Sequence, residues 1–161
     1  DGELEEAFAP RSVSLRLADE LDIARGDLIA SADAAPTPVE ELDGMVAWLH
    51  ERPLRPGQRV LVKHTTRVVR GIVSDLHGRL DLDTLAPAFA ETLELNDIGR
   101  VRLRLASPVA AEDYATSRRT GSFLLVDPQT GATLAAGMVR GDRAFSDRAA
   151  IEADRFLDWS I

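Results

Sequence analysis

The side chains whose types and spacing could do chemistry here are three histidines (His50, His64, His77), an aspartate pair (Asp81, Asp83) and six cations from Arg52 to Arg70. Imidazoles that bind zinc stand about three to five residues apart, and none of these three has another within a helical turn. Aspartates two apart share one face of a strand and could hold a divalent ion, although exposed paired carboxylates are ordinarily only solvated. Ser122 follows Gly121, but there is no Gly-x-Ser-x-Gly elbow to activate it, and no carboxylates form a matched acid–base pair. Cysteine is absent, which removes thiol nucleophiles, disulfides and thiolate metal sites. The single lysine, Lys63, follows Val62. A phosphate-cradling P-loop needs Gly-Lys-Ser/Thr, so none exists in this chain. Arg25-Gly26-Asp27 spells an adhesion tripeptide and is read as a turn, because Gly26 can supply a positive φ.

The cation run holds Arg52, Arg55, Arg59, Lys63, Arg67 and Arg70 and no acid. It is either a surface for an anion or acidic partner, or the solvated face of two strands whose charges discourage edge pairing. Arg59, Lys63, Arg67 and Arg70 are the candidate partner surface.

The elements that must carry these groups read mostly as strands. Ser12–Leu17 alternates polar and apolar, as a half-buried strand does. Residues 31–38 are small and proline-rich and read as a linker. Residues 39–49 fit either a helix, capped by Thr37 and Pro38 but weakened by Gly44, or an alternating strand, and the residues by themselves lean slightly to the helix. Arg59–His64 and Thr66–Val73 are rich in β-branched residues, and His77–Asp83 alternates with Leu80 and Leu82 on one face. Arg100, Arg102 and Arg104 alternate with Val101, Leu103 and Leu105, giving one wet and one buried face. Asp127–Gly131 reads as a hairpin loop between Gly121–Val126 and Ala132–Val139. Short strands at this spacing predict a closed or sandwiched β domain. Phe145, Ile151, Phe156, Leu157 and Trp159 among charges predict a short C-terminal helix.

The 161 residues are 45% hydrophobic and 29% charged, which excludes disorder as the default. No apolar run approaches the roughly 18 residues a membrane span needs, and no signal peptide is visible. Asp1 rather than Met opens the chain, and a cytoplasmic fragment of something longer is expected. Residues 1–41 hold eleven acids and three arginines, which accounts for the whole net charge of -8. The neutral remainder offers no long basic stripe, so nucleic acid is not an expected partner.

Five stretches carry a resemblance: LRLADELDIARGDLIA (15–30), LRPGQRVLVKHTTRVVRGIV (54–73), LDLDTL (80–85), LNDIGRVRLRLASPV (95–109) and TGSFLLVDPQTGATLAAGMV (120–139). In this order they resemble the C-terminal part of the large, GTP-binding subunit of bacterial sulfate adenylyltransferases, which is similar to elongation factor Tu. The resemblance implies an all-β fold: an antiparallel six-stranded barrel, the family's third domain, over 35–142. It implies that the last strands of a second barrel fill 1–34, including the Asp-x-x-Arg-Gly-Asp turn, and it selects strand for Gly44–His50. Residues 143–161 are left as a tail. It implies a parent complex that makes adenosine 5′-phosphosulfate and pyrophosphate from ATP and sulfate, coupled to GTP hydrolysis. No catalytic, cofactor or metal residue carries over, because the GTP and magnesium motifs belong to a domain upstream. The implied partners are the small catalytic subunit and the chain's own GTPase domain. Residues 1–34 are expected to be poorly ordered or paired with another copy. The competing expectations are a translation-GTPase barrel that binds transfer RNA, and an enzyme with a cryptic site around His77–Asp83.

Overall fold

The computed structural model describes residues 2 and 4–140, and the helix expected near the C-terminus lies outside them. The strands are β1 (Val39–Trp48), β2 (Arg59–His64), β3 (Arg67–Leu80), β4 (Pro87–Ala88), β5 (Ile98–Val109), β6 (Ser122–Val126) and β7 (Thr133–Val139). They pair antiparallel in the order β2-β6-β7-β1-β5-β3, and β3 returns to β2, closing a six-stranded barrel with β4 appended to β3. The all-β barrel expectation is borne out. The strand chosen for Gly44–His50 is borne out too, although β1 starts earlier and ends at Trp48.

Alternation fills the interior. Leu42, Val46 and Trp48 of β1 meet Val60, Val62, Val69, Val73, Val101, Leu103 and Leu125 in one buried cluster. A small barrel has room for every second side chain only, which is why one face of each strand is so uniformly apolar. Phe123 is the large exception, and two glycines make room for it. It stands opposite Gly137 in the β6–β7 register, and a Cβ on Gly137 would run into its ring. A Cβ on Gly44 would lie 2.8 Å from the same ring.

β3 runs through what reads in sequence as two strands, because two β-bulges absorb the break in alternation. Its register to β5 shifts between Val73 and Asp75 and again between Leu76 and Gly78. A bulge adds a residue to one strand and reverses which side chains face inward. The strand then stops at Leu80, which corrects the expectation that it reaches Asp83. The Asp81 carboxylate accepts the backbone N–H of Asp83 (3.0 Å) and Thr84 (2.9 Å). This Asx turn diverts backbone groups from the ladder and leaves Leu82 exposed.

Ser12–Leu17 is also corrected: the described residues before Val39 form no strand, and Val13, Leu15 and Leu17 are exposed. An alternating segment becomes a strand only where another edge offers hydrogen bonds, and the closed barrel has no free edge to give. The segment does meet the barrel at one corner. Gly26, at φ 108°, packs on the aliphatic stem of Arg67, whose Nη1 lies 3.6 Å from Asp27 Oδ1.

Gly137→Ala is expected to cost about 1–3 kcal/mol by overpacking. Combining it with Phe123→Leu should recover part of that loss. Urea melts of both single variants and the double variant measure the coupling, and strict additivity would show that the ring and the glycine do not compete for space.

Candidate partner-docking face

The outward positions of β2 and β3 alternate with the buried valines. On β2 they are Arg59, Leu61 and Lys63, and on β3 they are Val68, Arg70 and Ile72. Register places Arg59 opposite Ile72, Leu61 opposite Arg70 and Lys63 opposite Val68. Ile72 also pairs with Arg104 of β5. Arg59 and Arg104 therefore flank one exposed isoleucine, each about 5 Å from it across a strand pair, with Arg70 two residues along. Arg52 borders the same groove of about 840 Å³, beside the Asp127–Gln129 loop.

Like charges this close on one face repel, so their neutralisation matters. Arg104 lies 3.6 Å from Glu41, but both side chains are largely exposed, and such a pair contributes only about 0–1 kcal/mol. Arg52 lies 3.8 Å from Asp127. Among the described residues, Arg59, Lys63 and Arg70 have no carboxylate within salt-bridge distance. The face is cationic, with Leu61 and Ile72 as apolar spots, and is chemically suited to an acidic surface with apolar anchors.

Of the four cations singled out in sequence, the structure brings Arg59, Lys63 and Arg70 to this face and turns Arg67 to the Asp27 corner. Sequence reading missed Arg104, and it held Arg52 in the cation run without placing it among those four. Arg104 was seen only as part of an alternating strand, and its meeting with β3 depends on a register set by bulges.

The histidines do not gather, and the described residues hold no group of His, Asp and Glu suited to a metal ion. His50 Nδ1 accepts the Arg52 N–H at 3.0 Å. The buried His64 donates from Nε2 to the Thr120 carbonyl at 2.6 Å. His77 lies on the outer wall, its side chain 8% exposed, with Asp75 at 3.7 Å and Asp43 at 4.0 Å. Asp43 is itself held by Arg102 through two hydrogen bonds of 3.1 Å. Burial lowers the His77 pKa below 6.5, with Arg102 and Arg100 acting in the same direction and Asp75 and Asp43 opposing. Asp81 and Asp83 belong to their turn. The Asp127 carboxylate is held below the usual range by the backbone N–H groups of Thr130 and Gln129, which it accepts in the hairpin loop.

The described residues thus form a closed antiparallel barrel with His64 buried and an arginine-rich outer wall. Residues 41–140 match the family model described as "GTP-eEF1A C-terminal domain-like", and the chain belongs to that family. It is 46% identical over 144 residues to the bifunctional enzyme CysN/CysC of Mycobacterium tuberculosis, a match covering 88% of this chain and 24% of that protein. It is 39% identical over 138 residues to sulfate adenylyltransferase subunit 1 of Teredinibacter turnerae, covering 86% of this chain and 30% of the relative. The chain thus spans less than a third of the length of these relatives. A solved structure of sup35 complexed with GDP superposes with a TM-score of 0.62 at 20% identity, over 68% of this chain and 27% of that one, which shows the shared fold.

Below pH 6.5 the unfolded chain binds a proton at His77 that the folded chain resists. That contribution is full above 6.5 and lost as pH falls through the lower folded pKa. Replacing His77 by Gln should flatten the drop in urea midpoint between about pH 7.5 and 5.5. Equal slopes for variant and wild type would show that another group governs the acid limb.

Proposed function

We propose that this chain is the C-terminal barrel region of the GTP-binding subunit of a sulfate adenylyltransferase, and that it works as a docking and positioning module without a catalytic site. The observation that carries this is the identity to CysN/CysC and subunit 1 relatives across most of the chain, including residues before the barrel. The parent complex joins ATP and sulfate into adenosine 5′-phosphosulfate and pyrophosphate, the first step of sulfate assimilation, in the cytoplasm. GTP hydrolysis in the same subunit drives that unfavourable reaction. GTP and magnesium belong to its GTPase domain, and adenylyl transfer belongs to the small catalytic subunit. On this assignment residues 1–34 are the end of a second barrel, 35–142 are the third domain and 143–161 are a tail.

The barrel's contribution is geometric. Its closed sheet is rigid, and its outer wall presents Arg59, Lys63 and Arg70 to the small subunit while the chain's own GTPase domain packs elsewhere. Guanidinium groups suit this task because they pair with carboxylates in a planar, two-pronged geometry. A transfer-RNA-binding role is the weaker alternative. Phosphate binding favours a net positive surface, and this chain carries -8.

Calorimetric titration of the chain with the small catalytic subunit tests this function. Arg59→Glu with Arg70→Glu should weaken association about tenfold or more at low salt, and the gap should shrink as salt rises. Affinity that is unchanged at both salt levels would exclude this face from the contact. Filter binding to transfer RNA at low salt should show no retention, and strong salt-sensitive retention would favour the alternative.

A further inference from the structure

Around the barrel from the cationic wall, the outward side chains stop being polar. Registers trace one row across five strands: Lys63 of β2 opposite Leu124, Leu124 opposite Ala136, Ala136 opposite Ala47, and Ala47 opposite Ile98. The next row runs Ser122, Met138, Met45 and then Arg100. An antiparallel barrel facing water carries polar groups at such positions, and here they are mostly alanine, methionine, leucine and isoleucine.

The paired alanines give this wall its shape. Ala47 and Ala136 sit side by side between the longer Leu124 and Ile98, so the surface sinks into a trough of about 510 Å³. Lys63 ends the row, and Arg119 reaches the rim from the loop before β6. Both cations are exposed, and among the described residues neither has a carboxylate within salt-bridge distance. An apolar floor with two cations at its rim suits a partner side chain that is apolar at its centre and flanked by acids, and such a buried anchor can contribute most of a contact's affinity. The trough is also continuous with the cationic wall, since Lys63 follows Arg59 and Leu61 on the same outward side of β2.

We propose that this trough is the anchor socket of the docking face. It takes one large apolar side chain from an acidic segment of the small catalytic subunit, whose flanking carboxylates meet Lys63 and Arg119. This rests on the docking role proposed above and adds what that role leaves open: the chemistry of the partner's segment, and two alanines as the residues that set specificity. Nucleic acid fits poorly, because the trough carries two cations, Lys63 and Arg119, rather than a row of them for successive phosphates.

Ala136 faces out and is exposed, so Ala136→Leu fills the trough without entering the core. Calorimetry of the full chain against the small catalytic subunit should show association weakened at least about tenfold, with the melting temperature unchanged. Arg119→Glu, at an exposed residue of the trough rim that lies outside the cationic wall, serves as a second variant and should weaken association in a salt-dependent way. Loss with both variants supports the socket. Wild-type affinity in both, while Arg59→Glu with Arg70→Glu still weakens binding, would overturn the socket and leave the cationic wall standing. Loss with Ala136→Leu and none with the arginine reversals would keep the socket and remove the wall from the contact. A folded chain that binds no small subunit at all would overturn both.

Discussion

The ring of Phe123 occupies space that a Cβ on Gly137 or Gly44 would fill, and the outer wall of the barrel depends on that fit. Phe123 faces Gly137 across β6 and β7, and Gly137 faces Val46 across β7 and β1. A one-residue slip in either pairing would set a side chain against the ring and turn every outward residue of the strand inward. Interior packing thereby decides which residues reach the surface. Lys63, Leu124, Ala136, Ala47 and Ile98 form a row outside because their neighbours in sequence are fixed inside.

The same coupling orders the charges. Glu41 and Asp43 lie two apart on the outward side of β1, and Arg102 and Arg104 lie two apart on β5. The antiparallel register pairs Glu41 with Arg104 and Asp43 with Arg102. The two pairs are unequal. Arg102 grips Asp43 through two hydrogen bonds in a partly buried place, and Asp43 in turn stands near His77. Arg104 and Glu41 are exposed and weakly held. One end of the ladder is therefore structural, and the other is free to exchange its partner for an incoming carboxylate.

Much of the barrel was legible in sequence because a small closed sheet imposes strict alternation. Val101, Leu103 and Leu105 fell inside as their spacing required, and the Asp127–Gly131 loop joined the expected hairpin. Arg100 did not follow its strand: it is buried opposite Met45, where the outside of the barrel is itself apolar. The bulges of β3 were illegible because they break the period that identifies a strand, and Ser12–Leu17 misled because alternation without a partner edge makes no strand. For the proposed docking face, the cation run was visible but its membership was not. Arg67 belongs to a local corner with Gly26 and Asp27, while Arg104 arrives from a strand some thirty residues further on, and only the pairing of β3 with β5 brings it in.

On the function proposed above, the barrel would matter to a coupled reaction through rigidity. A GTPase influences a distant transfer site only if some element keeps a fixed geometry while contacts at its ends change. Closure leaves the six barrel strands with no free edge, and Trp48, Leu54 and Leu93 are fully buried where the strand ends are tied together. The exposed side chains on the wall can be exchanged between partners at little cost because their present ion pairs are weak. Such a body carries displacement without absorbing it.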